Sequence, residues 1–217
     1  MVNVFLPLAR WLNRALLILS TKIYQTDMSN LTEDIWEGYR SNWTSGTIGL
    51  GMVILIVTLI VLIVLHHRKK ITFGQGLAAV FFVIYLYLMF GSTVFTRTSD
   101  AVAHMNTDFL WEYRKILVDH SWHYVKEVLL NMLMLVPVGF MFPLVRGKRG
   151  VVLAVLFGFV CSLSIEGLQW LFKCGLFEYD DLFNNTVGAL LGYMLYRILM
   201  PWHGRKKKIG RQSKRAA

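Results

Sequence analysis

Five apolar runs divide the chain, each close to the ~20 residues needed to cross a hydrocarbon core as a helix. They extend from Thr47 to Leu65, which carries no charge at all, from Gly76 to Phe95, from Val128 to Val145, from Val151 to Phe172, and from Leu182 to Met200. The third run is short, contains Asn131 and is interrupted by Pro137, Gly139 and Pro143, so a bent helix is expected there. The fourth holds Glu166 and Gln169, and the fifth opens on Asn184 and Asn185 and stops before Pro201. Within the first 25 residues, Arg10, Arg14 and Thr21 recur at helical spacing while Phe5, Leu8, Trp11, Leu12, Ala15, Leu16 and Leu19 gather on the opposite face. That pattern predicts an amphipathic helix lying in the membrane interface, with a short tilted span starting near Trp11 as the competing reading. The fold class expected is therefore all-α: a polytopic transmembrane helix bundle of five spans, plus an N-terminal amphipathic helix that could itself be a sixth. Four parts follow: residues 1–46 (amphipathic helix and outer segment), 47–75 (first span and basic loop), 76–200 (a four-helix membrane domain) and 201–217 (a basic tail).

Composition agrees with that reading. Apolar residues make up 55% and charged residues 17%, and mean hydropathy is +0.49. A water-exposed domain carries roughly 25% charged residues. The two cysteines, Cys161 and Cys174, supply neither a disulfide framework nor a tetrahedral metal site. A net charge of +10 would suit a nucleic-acid partner if the basic residues formed a stripe. Instead they occupy short blocks between apolar runs, at His66-His67-Arg68-Lys69-Lys70, at Arg146, Lys148 and Arg149, and in the tail GRKKKIGRQSKR. All thirteen acidic residues lie in the alternate segments or the adjoining membrane half. The positive-inside rule puts the basic blocks and the C-terminus in the cytoplasm and the acidic segments outside. The tail is expected to anchor on anionic lipid head groups, at ~1 kcal/mol per basic residue, and no nucleic-acid partner is expected.

Candidate chemistry lies with the polar residues inside the runs, because an ionisable group at mid-span costs at least ~2.5 kcal/mol. Ser162, Glu166, Gln169 and Lys173 share one helical face, as do Asp181, Asn185, Gly188 and Gly192. Glu127 and Asn131 form a third pair, four residues apart. Gly188 and Gly192, with Pro137 and Gly139, are expected to serve helix packing. The polar set singled out as a ligand cavity is Arg97, Asn106, Glu127, Asn131, Glu166, Gln169, Asp181 and Asn185, with Arg97 as the first candidate to offset carboxylate repulsion and Lys126 and Lys173 next. The same groups could instead form a network that only fixes the bundle, and one of Asp180 and Asp181 could simply cap the last helix. Paired Asp and Glu could also hold a divalent cation, but the spacing is unspecific, and no metal site or cofactor is assigned. No nucleophile elbow, HExxH or phosphate-loop pattern occurs, and no catalytic residue is identified.

The segment EVLLNMLMLVPVGFMFP, from Glu127 to Pro143, and the run SIEGLQWLFKCGLFEYDDLFNNTVGALLGY, from Ser164 to Tyr193, resemble the VanZ-like family. That family has a glutamate, a glutamine three residues on, an aspartate-rich turn, then an asparagine and paired glycines. Glu166, Gln169, Asp181, Asn185, Gly188 and Gly192 occupy those places, and Arg97 with the stretch from Asn106 to Tyr113 resembles the family's first outer loop. Gly175 stands where many members carry arginine, and Glu178 where aspartate is common. The resemblance implies a Gram-positive type of cell-envelope membrane protein; the family's founding member confers low-level teicoplanin resistance. On this basis the expected function is an outward-facing polar cavity that binds an amphiphilic ligand, either a lipoglycopeptide antibiotic or a lipid-linked envelope precursor. One alternative is a membrane enzyme acting on such a precursor, with Glu166 or Asp181 as general base and Arg97 holding a phosphate. Another is a small lipid transporter, for which five spans without a repeat would call for a homo-oligomer.

Overall fold

The computed structural model describes residues 43–97, 99 and 104–200. The expected amphipathic helix and the basic tail lie outside the described residues.

Helix α1 (Ser45–His67) starts where the Thr44 hydroxyl accepts the Thr47 amide at 3.2 Å. Helix α2 (Phe73–Phe90) starts with a capping box: the Gln75 amide bonds the Thr72 hydroxyl at 3.3 Å, and the Gln75 side chain takes the Thr72 amide at 3.0 Å. It runs on into a π-helical turn, Gly91–Phe95. After a short helix α3 (Trp111–Asp119) come α4 (Trp122–Arg146), α5 (Val151–Phe172) and α6 (Tyr179–Leu199). Helix α4 is continuous through both Pro137 and Pro143. The fold is not purely helical. Strand β1 (His104–Asn106) pairs in parallel with β2 (Leu176–Glu178), His104 opposite Leu176 and Asn106 opposite Glu178. This pairing adds two three-residue strands to an otherwise helical fold and ties the loop after α2 to the turn before α6.

Among the described residues, four helices are long and apolar enough to cross a membrane: α1, α2 with its π turn, α4 and α5. The sequence pattern predicts five. Helix α6 is 21 residues long, but its first two turns carry Asp180, Asp181, Asn184 and Asn185, all buried or partly buried. Its most extensive contacts are with α4, then α5. Glycine makes that proximity possible. A Cβ at Gly188 or Gly192 would collide with the backbone carbonyl of Met132 or Val136 on α4. One at Gly139 would meet the carbonyl of Ala189, and one at Gly158 of α5 the Ala189 methyl. Leu135, Val138, Ile165 and Ala189 fill the core around these contacts.

Polar side chains lock α2 to the core. The Tyr85 hydroxyl donates to the Met134 carbonyl at 2.6 Å, and the Gln75 amide to the Val145 carbonyl at 3.3 Å. Helix α1 buries none of its residues and packs on α2, where the Tyr87 hydroxyl donates to the Thr47 carbonyl. Between them lies an apolar groove of about 330 Å³, lined by Trp43, Gly51, Leu55, Ile84 and Tyr87 among others.

Candidate functional site

At the end of the bundle where α4 and α6 begin, polar side chains from six elements meet. Asp180, in the first turn of α6, is fully buried. One of its oxygens accepts the Leu110 amide, and the other accepts the Glu112 amide at 2.9 Å. Its carboxylate therefore caps α3, a different helix from the one expected, and lies against the positive end of that helix dipole. Leu110 has a left-handed backbone, φ 62°, at this junction. Helix α3 in turn delivers Glu112, which is 1% exposed and accepts the Asn184 side-chain amide at 3.0 Å. The Tyr113 hydroxyl donates to the other end of the same amide.

The strand pair places Glu178. Its Oε1 accepts the Trp111 indole N–H at 2.8 Å and the Asn106 amide at 3.3 Å, and its own backbone amide donates to Glu166 at 3.2 Å. Below this layer the Asn131 amide of α4 donates to Asp181, and Asn185, one turn further along α6, donates to the Ser162 hydroxyl of α5 at 2.9 Å. Helix periodicity produces that arrangement: Ser162 and Glu166, like Asp181 and Asn185, are four apart and stack on one face.

Electrostatics follow from crowding. Burial pushes the Glu112 carboxyl up to about 8, and the charges of Asp181, Glu178, Asp180 and Glu127 add to the effect. Glu178 is also raised, chiefly by burial, with its bonds from Trp111 and Asn106 opposing the shift. The Tyr113 phenol is raised by burial and by the neighbouring Glu112 and Asp180.

Of the residues singled out in the sequence, Asn106, Asn131, Glu166, Asp181 and Asn185 enter this cluster. Gln169 stands beside it, donating to the Thr93 carbonyl at 3.0 Å and so fastening α5 to the π turn. Glu127 lies at the rim, paired with His123 at 3.1 Å, yet close enough to act on the buried carboxylates. Arg97 is exposed; it acts electrostatically on Glu166 and Asp181, but among the described residues no ion pair joins it to a carboxylate. Glu112, Asp180 and Asn184 also belong to the cluster, although the cavity set singled out in the sequence does not include them. One signal was available, since Asp180 and Asn184 repeat the four-residue spacing of Asp181 and Asn185 one position earlier.

One carboxylate oxygen from each of Glu112, Glu178 and Asp181 lies within 4.8 Å of the other two. The arrangement is an acidic, partly buried chamber with oriented amide donors. It can hold a proton, a cation or the cationic part of a ligand.

The profile of the VanZ/LLP1 family matches residues 77–200, more than half of the chain. Protein VanZ of Enterococcus faecium is 31% identical over 86 residues, covering 40% of this chain and 53% of that protein. The match thus spans about half of that relative's length. No solved structure matches the chain.

Proposed function

This chain belongs to the VanZ/LLP1 family, and from that premise we propose that it is a cell-envelope membrane protein whose acidic cluster receives the head of an amphiphilic ligand. The ligand class is a lipoglycopeptide of the teicoplanin type or a lipid-linked envelope precursor. The protein contributes to resistance by holding that ligand at the outer face. The observation carrying this reading is the convergence of Glu112, Glu166, Glu178, Asp180 and Asp181 with the amides of Asn131, Asn184 and Asn185 at one end of an otherwise apolar bundle. Such a concentration of buried charge costs stability in a membrane and marks a functional site. The groove between α1 and α2 opens near Trp43, at the same end of the bundle, since Trp43 packs on Gly91 at the finish of α2. A polar head in the cluster and an acyl tail along apolar helix surface satisfy both halves of an amphiphile. Five spans cross the membrane, with the basic loops inside and the cluster outside.

The test is expression in a susceptible Gram-positive host. The minimum inhibitory concentration of teicoplanin is expected to rise several-fold, with little change for a glycopeptide lacking the acyl tail. Asp181→Asn combined with Asn131→Ala should return it to the host's level while the protein stays in the membrane. An unchanged teicoplanin concentration with abundant wild-type protein would refute the reading.

A further inference from the structure

We propose that Glu112, Glu178 and Asp181 bind a hard divalent cation of the Ca²⁺ class. Three carboxylate oxygens within 4.8 Å of one another match the span across an ion whose oxygen bonds run roughly 2.3–2.6 Å. Each carboxylate comes from a different element: α3, β2 and α6. Each is also aimed by protein donors on one oxygen only. Trp111 and Asn106 hold Oε1 of Glu178, Asn184 holds Oε2 of Glu112, and Asn131 holds Oδ1 of Asp181. Among the described residues no donor takes the second oxygen of any of the three. Donors behind a ligand that fix its orientation are what a metal site requires, and an all-oxygen set selects a hard cation over zinc or copper.

Charge balance supports the assignment. Glu127, Glu166 and Asp180 crowd the same space, acting on Glu112 or Asp181. Against them stand the α3 N-terminus at Asp180, His123 at Glu127, and Arg97 at a distance. Removing several like charges from water without a counter-charge is strongly unfavourable.

An independent observation comes from Asn185. It is 1% exposed; its Nδ2 donates to Ser162, and its Oδ1 has no partner. Asn185 lies one turn after Asp181 on the same face of α6, and helical side chains lean in general toward the N-terminus of their helix, the direction of Asp181. From one turn below Asp181 it can accept a hydrogen bond from a water carried by the ion, which would supply the partner that a buried carbonyl oxygen needs.

The cation deepens the proposed ligand site and depends on that reading only for its use, which is to present positive charge to an anionic head group. Its test needs neither drug nor precursor. Full-length protein in nanodiscs of zwitterionic lipid, stripped with chelator, is dialysed against radioactive Ca²⁺ and separately titrated with Tb³⁺. Wild type is expected to take up one Ca²⁺ per chain and to show tryptophan-sensitised Tb³⁺ emission that Ca²⁺ displaces. Asp181→Asn should weaken uptake at least tenfold, whereas Asp119→Asn, outside the cluster, should match wild type. Because the Trp111 indole is bonded to Glu178, Trp111→Phe should lose most of the sensitised emission and, with one of the two donors on Glu178 Oε1 gone, also weaken Ca²⁺ uptake. No saturable uptake by wild type, or uptake undiminished in Asp181→Asn, overturns the site. Ca²⁺ uptake without a change in teicoplanin susceptibility would remove the ligand reading and leave the cation; resistance without uptake would remove the cation alone.

Discussion

Gly188 and Gly192 are the residues on which the bundle's compactness turns. Their missing side chains let the α6 backbone rest on the carbonyls of Met132 and Val136. Close approach of this kind drives association where lipid removes any hydrophobic difference between helix faces. Gly188→Ala should therefore destabilise the protein, by ~1–3 kcal/mol, because the backbone carbonyl it would strike cannot swing aside as a side chain can. The matched control is Gly49→Ala in α1, where nothing lies within 4 Å of the added methyl. Being mid-helix and unobstructed, it should be neutral or gain up to ~1 kcal/mol. Unfolding of both variants by SDS in mixed micelles separates the two cases; equal midpoints would show that α4 and α6 are not in tight contact.

At the scale of elements, α3 is a short, largely polar helix that holds its place through what it bonds. Asp180 accepts two of its first amides, Glu178 takes the Trp111 indole, and Asn184 reaches Glu112. Asp180→Ala leaves the Leu110 and Glu112 amides without acceptors, a penalty of ~1–3 kcal/mol for a buried group. The expected result is an α3 that undocks, with trypsin cleavage after Arg114 and Lys115 several-fold faster than in wild type. Asp119→Ala removes only the exposed pair with Lys115 and should leave cleavage almost unchanged. This docking also marks the limit of what the sequence reveals. Hydropathy and four-residue spacing are local signals, and they located the long apolar helices, the glycine stripe of α6 and the stacking of Glu166 on Ser162. The Asp180 cap and the β1–β2 pairing join residues about seventy apart, through contacts that no periodicity encodes. Glu112 stands outside the cavity set for that reason. A lone acid in a polar loop looks solvated until a distant helix covers it. Glu127, expected in the cavity, lies instead at its rim beside His123, four residues earlier on the same helix.

For the whole molecule, the arrangement of charge along the chain and the place of the acidic cluster must agree with a single orientation. The basic loops Arg68–Lys70 and Arg146–Arg149 follow α1 and α4, while the cluster forms where α4 and α6 begin, so the two kinds of charge occupy opposite ends of the bundle. Lysine and arginine near a span are retained on the cytoplasmic side during insertion, whereas acids contribute little to the choice. The proposed orientation, with the cluster at the outer face, rests on these basic loops. Cysteine chemistry can read this directly, since Cys161 and Cys174 are both buried and add little background. In intact cells a membrane-impermeant maleimide should label Thr107→Cys, in the exposed loop beside the cluster. Lys148→Cys should be labelled only after the membrane is opened. The reverse pattern would place the carboxylates in the cytoplasm, where no extracellular drug could meet them, and the proposed ligand would have to come from inside the cell.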